Sequence, residues 1–397
     1  MKRRLFNRLI PQFALSQVLL TSLLQSCREE EEEVFVPFDG EIVIIGAGIA
    51  GLYTANILIS QGYRCTVLEA SNSIGGRLQK DENFADFPID LGAQWLHGKN
   101  NILGDIIEKT KTPIHLDNSE EWLLFDQKIQ QDLPKDLFEL FRRDNDIPDI
   151  SFQNFATQNG FDNTYSNLVE AIAGDSGASG DKISAYWKIK EEENWSSGDE
   201  DYKFQETYFD LIVDNFGSQI APYLKLNTPI KTIDYSAEKI RLTAVDGSIF
   251  SADKVIVTVP ISILKSGMIG FIPDLPEPKL QAFQKIGMEE GMKVFLKFTQ
   301  PFYKENLLGG QLCGAYIDER IGKNGNDNVL MAFLMGKQAR ELSAMGDESI
   351  IIQALLAELD LMYNGQASIY FQQGLVKNWG DEPYIKGAYS YSTVGIG

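Results

Sequence analysis

From Glu41 onward, short apolar runs alternate with turn residues in an order that predicts strand, helix and strand again. Glu41-Ile42-Val43-Ile44-Ile45 is a β-branched run of the kind buried on both faces of a parallel sheet. Residues 52–60 read as a helix closed by Gly62, and Arg64-Cys65-Thr66-Val67-Leu68 reads as the next strand, ending in Glu69. Between residues 100 and 220 the patterning is helical and rich in aromatics such as Trp122, Phe138, Phe155 and Trp187, most of them core positions. Strands return at Asn227-Thr228-Pro229-Ile230, at a hairpin turned by Asp246-Gly247, and at Val255-Ile256-Val257-Thr258-Val259-Pro260. Gly291-Met292-Lys293-Val294-Phe295-Leu296 is a further apolar strand, broken by one lysine. The order predicts an α/β fold.

Composition narrows the function. A chain of 397 residues with 44% hydrophobic and 23% charged residues has material for two or three domains with large cores. Its 36 basic and 56 acidic side chains give a net charge of -20, the wrong sign for a phosphate-tracking nucleic-acid binder and compatible with cationic small molecules. Cys27, Cys65 and Cys313 match no zinc-site spacing, so no metal centre is expected.

The first residues read as an address. Lys2, Arg3, Arg4 and Arg8 precede a mildly apolar run that ends at Leu24-Gln25-Ser26-Cys27. That ending resembles a bacterial lipoprotein processing site, which implies that residues 1–26 are a signal peptide and that a lipid on Cys27 holds the mature protein to a membrane of the bacterial cell envelope. Arg3-Arg4-Leu5-Phe6-Asn7-Arg8 also resembles a twin-arginine signal, the export route of proteins folded around a cofactor. Pro11, Gln12, Ser16 and Gln17 make the run too polar for a spanning helix. Five consecutive glutamates, Glu29 to Glu33, repel one another and mark residues 27–40 as a solvated tether.

The sharpest motif is Gly46-Ala47-Gly48-Ile49-Ala50-Gly51, set between the first strand and the helix, with the acid Glu69 at the end of the second strand. In this Rossmann-like arrangement the glycines let the backbone approach a pyrophosphate lying on the helix N-terminus, and the acid accepts hydrogen bonds from a ribose diol. Downstream stand Gly75-Gly76-Arg77-Leu78 and Asp90-Leu91-Gly92-Ala93-Gln94-Trp95-Leu96-His97-Gly98. Paired glycines before an arginine suit close backbone approach, with a guanidinium to neutralise phosphate or orient a flavin.

On these residues the chain resembles the flavin-dependent amine oxidases, the family of monoamine and polyamine oxidases. The resemblance implies non-covalent FAD held by Gly46, Gly48, Gly51, Glu69, Gly76 and Arg77, with Gly92, Ala93, Gln94 and Trp95 along the flavin ring. It implies that Ile230 packs on the adenine, that Trp379 lies by the flavin, and that Tyr389 is one wall of an aromatic cage for the amine. Ala388 stands where covalently flavinylated members carry cysteine. A lysine opening an apolar strand ordinarily faces solvent; the resemblance instead implies that Lys293 holds a water against flavin N5, with Lys297 the competing register. His97, one of two histidines, reads as a gate or polar contact near the substrate channel rather than as a base.

The resemblance further implies a partition into FAD-binding segments (41–99, 223–272 and 376–397) and an inserted α+β substrate-binding domain (100–222 and 273–375). The reaction would be hydride transfer from a small-molecule amine, polyamine-like or monoamine, to the flavin, giving an imine that hydrolyses, with dioxygen reduced to peroxide. The similarity runs over residues 41–397 and stops before the family's last strand and helix, so apolar sheet surface and one side of the flavin site are expected to lie open. Competing readings are an L-amino-acid oxidase, a flavin-dependent desaturase or protoporphyrinogen-type oxidase, and a degenerate, non-catalytic envelope protein.

Overall fold

The computed structural model describes residues 38–142 and 147–395. The segment read as a signal peptide, Cys27 and the acidic run lie outside the described residues. Among those described, no helix is long and apolar enough to cross a membrane.

Strand β1 (Glu41–Ile45), helix α1 (Ile49–Ser60) and strand β2 (Arg64–Leu68) form as the sequence pattern predicts. β1 is central: it pairs in parallel with β2, Ile45 opposite Leu68, and with β3 (Lys254–Val257), Ile45 opposite Val257. A short strand, Leu224–Lys225, extends the sheet on the far side of β2. All four strands point the same way, so the chain leaves them at one edge, where Gly46, Glu69 and Thr258 are gathered. The amide of Gly46 donates to Leu68 O (2.8 Å) and that of Thr258 to Ile45 O (3.0 Å). Such an edge, at the carboxyl ends of parallel strands, is where α/β folds bind ligands.

Each face of this sheet is covered. Val43, Ile45 and Leu68 pack with Ile230, Ile233 and Leu242 of a second, mostly antiparallel sheet that contains the predicted Asp246-Gly247 hairpin. On the opposite face Ile44 and Val67 meet Leu52 and Ala55 of α1, together with Ile212, Phe216 and Ile220. That last group corrects the expected partition. Residues 208–220, assigned to the substrate domain through residue 222, pack on the dinucleotide-binding layer because their apolar face fits α1 and the sheet.

The second body is built on a seven-stranded sheet. Strand β4 (Gly291–Phe298), next to one edge of this sheet, pairs antiparallel with β5 (Asn328–Met335) on its inner side and with the edge strand β6 (Phe371–Asn378) on the other. Side chains of β4 alternate between two cores, as the two-residue period of a strand requires. Met292, Val294, Leu296 and Phe298 face the helix Glu348–Met362, where Ile351, Leu355 and Leu359 meet them. Phe295 faces the opposite core with Phe152, Phe155 and Phe161. Lys293 and Lys297 share the Phe295 face by register. Lys297 lies at the rim and pairs with Asp327, whereas Lys293 is buried. Of the two candidate lysines, Lys293 is the one inside the protein.

Candidate functional site

A cavity of about 870 Å³ runs from the edge of the parallel sheet to the seven-stranded sheet. Its first half is the glycine-rich turn. Helix α1 begins at Gly48 with no side-chain cap, leaving the free amides of its first turn for a ligand, and Gly48, Ile49 and Ala50 line the cavity there. A Cβ on Gly48 would meet nothing within 4 Å, so the open volume begins at the backbone itself. Gly51 lies behind the turn and off the wall, where a Cβ would come within 1.9 Å of Gly46 O. Gly76 takes φ +60 and its Cβ position is 3.3 Å from the Cα of Gly48, so the paired-glycine loop closes over the turn.

Glu69 is buried at this end. Its carboxylate accepts the amide of Ala47 (2.6 Å) and both the amide (2.9 Å) and hydroxyl (2.7 Å) of Ser71. A carboxylate offers about four acceptor positions, so capacity for one further donor remains at the cavity wall. Ile230 lines the cavity beside Thr228 and Pro229. Arg77 is exposed into the cavity, donates to the carbonyl of Ala388, and so ties the glycine loop to the segment after Trp379. Desolvation lowers its pKa from the ordinary guanidinium value. An open cradle, uncapped helix amides, one buried carboxylate and one cation facing the same volume fit the pyrophosphate and ribose of FAD.

At the far end the wall passes to Gly92, Ala93, Lys293, Phe333, Trp379 and Tyr389. Trp379 donates its indole N–H to Leu91 O (3.0 Å) and its amide to Gly291 O (2.9 Å), which fixes the ring against Gly92. Tyr389 is half-buried, packed on Gly177. Lys293 is 3% exposed and donates to Asp90 O (3.0 Å), Gly92 O (2.7 Å) and Gln94 Oε1. Burial drives its pKa down to about 8, opposed by the charges of Glu319 and Asp90.

Gln94 and Trp95, expected along the flavin ring, and His97, expected near the substrate channel, stand back from the cavity wall. The cause is local. Trp95–His97 is a short strand paired with Asp201–Phe204, which turns these side chains away from the Gly92-Ala93 backbone that does reach the wall. Gln94 sits behind Lys293, and the Trp95 ring centre is 5.7 Å from Lys293 Nζ. His97 is stacked on Trp95 and pairs through Nδ1 with Asp201 (2.8 Å).

The sequence reading also missed a buried charge cluster behind Lys293. Asp90 accepts the amide of Tyr208 (3.0 Å), lies 3.7 Å from Lys323 and has its pKa pushed up to about 7, chiefly by burial. Lys203 donates to Asp318 O (3.0 Å), and Glu319 accepts from Gln94 (2.8 Å). Asp90 opens the stretch that runs to Gly98, whereas Lys203, Asp318, Glu319 and Lys323 follow no motif and only burial reveals them. The Asp90 shift gives a stability test. Its folded pKa lies above the unfolded value, so its contribution is complete at low pH and is lost as pH rises toward 7. Asp90→Asn has no such loss, and its stability relative to the parent should therefore improve steadily between pH 4 and pH 7; a pH-independent difference in denaturant midpoint would refute the assignment.

Comparison with known proteins decides the family. The sequence profile of the flavin containing amine oxidoreductases matches residues 49–208 and 213–397. The chain belongs to that family. It is 27% identical over 401 residues to polyamine oxidase 2 of Arabidopsis thaliana, covering 89% of this chain and 78% of that one. Wild-type putrescine oxidase bound to putrescine superposes with a TM-score of 0.75 at 17% identity, over 90% of this chain and 89% of that one. Cyclohexylamine oxidase from Brevibacterium oxydans superposes with a TM-score of 0.74 at 18% identity, over the same shares. As a flavin containing amine oxidoreductase, the protein is an oxidoreductase that uses FAD to oxidise amines. Its mixed α/β fold is consistent with a FAD-binding domain joined to a substrate-binding domain.

Proposed function

We propose that the substrate is a small aliphatic amine, polyamine-like or a monoamine, taken up where Lys293, Trp379 and Tyr389 meet, with dioxygen as terminal oxidant. The observation that carries this reading is the continuity of one cavity from Glu69 to Tyr389, which gives cofactor and substrate a shared enclosure. FAD, when bound, supplies the hydride acceptor and passes the electrons on. Gly46, Gly48, Gly76 and Arg77 would hold its phosphates and Glu69 its ribose, with Ile230 at the adenine. Gly92, Ala93 and Trp379 would enclose the ring. Tyr389 would wall the approach of the amine, with Lys293 at the cavity wall opposite. Burial, then the nearby charge of Asp175, raises the Tyr389 phenol to about 12. Tyr389 therefore stays neutral at physiological pH.

The names of the relatives, polyamine oxidase, putrescine oxidase and cyclohexylamine oxidase, support an amine over an amino acid. An amino-acid oxidase needs a guanidinium for the substrate carboxylate; the arginine on the described cavity wall is Arg77, already engaged with Ala388 O. The test is peroxide release by the FAD-loaded protein across diamines, polyamines, monoamines and amino acids. Turnover of amines is expected, and turnover confined to amino acids overturns the reading. With Ala388 at the covalent position, acid precipitation should leave the flavin in the supernatant.

We further read Cys27 as the lipid-bearing first residue of an envelope protein, exported as a folded flavoprotein. Labelled palmitate should enter the protein expressed in bacteria and be lost in Cys27→Ser. Incorporation that survives the substitution would sink this assignment.

A further inference from the structure

The ammonium of Lys293 is buried against three oxygen acceptors, and a buried charge is retained only where a counter-charge compensates it. Two carboxylates are close enough to act. Asp90 is already committed: one oxygen accepts the Tyr208 amide and the other faces Lys323 at 3.7 Å. Glu319, 1% exposed, is connected differently. Its Oε1 accepts from Gln94 Nε2 (2.8 Å), and Gln94 Oε1 in turn accepts from Lys293 Nζ. The orientation of this carboxamide is fixed by its neighbours, since the flipped amide would set its NH₂ against the ammonium and its oxygen against the carboxylate.

We infer that Glu319 is a positioning residue for Lys293: through the Gln94 carboxamide, its carboxylate holds Lys293 at the cavity wall as an ammonium. Gln94 is recessed from the wall because it is the link in this chain. Lys203 and Lys323 oppose Glu319, each disfavouring the charged form of Lys293, while Asp90 supports it. Glu319 is the largest stabilising charge on the Lys293 ammonium. In the same cluster Lys203, Lys293 and Lys323 are buried beside the carboxylates of Asp90 and Glu319. The inference concerns the protonation of the protein itself and holds whichever amine is oxidised.

The experiment is a pH titration of the FAD-loaded protein carrying carbon-13 at lysine Cε, followed by NMR, with the Lys293 resonance identified by its loss in Lys293→Met. In the parent, Lys293 is expected to be an ammonium at pH 7. Glu319→Gln keeps a hydrogen-bond acceptor and removes the charge, so the Lys293 midpoint should fall by about one pH unit or more. Glu319→Asp should restore most of that shift, a rescue that a merely space-filling role would not produce. A midpoint in Glu319→Gln equal to the parent's overturns the proposal. Should Glu319→Gln fail to fold, the parent decides alone: a neutral Lys293 at pH 7 overturns the proposal, and an ammonium supports it.

Discussion

Lys293→Met is expected to lower amine-dependent turnover by about two orders of magnitude or more, the usual cost of removing a positioned proton-handling group, while FAD remains bound. The side chain touches the wall at the substrate end of the cavity, and the dinucleotide cradle contains no part of it. Methionine keeps an unbranched apolar stem of similar length for packing near Trp95 and Phe295. It removes the three N–H bonds to Asp90 O, Gly92 O and Gln94 Oε1. Three buried acceptors then lose their donor, so a stability loss of about 1–3 kcal/mol accompanies the kinetic effect. The measurement is anaerobic stopped-flow absorbance of the bound flavin on mixing with amine, followed by reoxidation with dioxygen. Unchanged rates in both half-reactions would remove Lys293 from the site.

The elements nearest the cofactor were legible because their signals are local. A β-branched strand, a glycine turn, a helix and an acid closing the next strand fall within residues 41–69, and each reappears where its spacing puts it. The Asp246-Gly247 hairpin is equally local. What escaped the sequence depends on pairing between distant segments. The turn of Gln94, Trp95 and His97 away from the wall follows from a partner strand at Asp201–Phe204, more than a hundred residues on. Residues 208–220 carry a helical pattern that suits either body, and only tertiary packing assigns them to the dinucleotide layer. Lys203, Glu319 and Lys323 look like ordinary surface charges in the sequence, and their burial arises where three separate segments converge on Lys293. Lys293 itself is intermediate: strand periodicity puts it on a face shared with Lys297, and the depth of the strand, invisible in the sequence, chooses between them.

The glycine turn provides the second large effect, and it separates folding from cofactor binding. In Gly51→Val the new Cβ would lie 1.9 Å from Gly46 O and 3.1 Å from Thr258 Oγ1. The first neighbour is backbone, pinned at the end of β1 by the bond from the Gly46 amide to Leu68 O, and cannot rotate away. Helix α1 must therefore move off the sheet, at a cost of about 1–3 kcal/mol or more for an overpacked site, and bound FAD should be lost with the turn geometry. Gly48→Ala makes the contrasting case. Gly48 has φ -71, which any residue tolerates, and its Cβ position is open within 4 Å. Alanine there should leave the melting temperature of the FAD-free protein unchanged while its methyl group enters the cradle, weakening FAD binding by at least tenfold, about 1.4 kcal/mol. Thermal unfolding without FAD and fluorescence titration with FAD measure the two effects separately. Equal FAD affinity in Gly48→Ala and the parent would place the pyrophosphate elsewhere in the cavity.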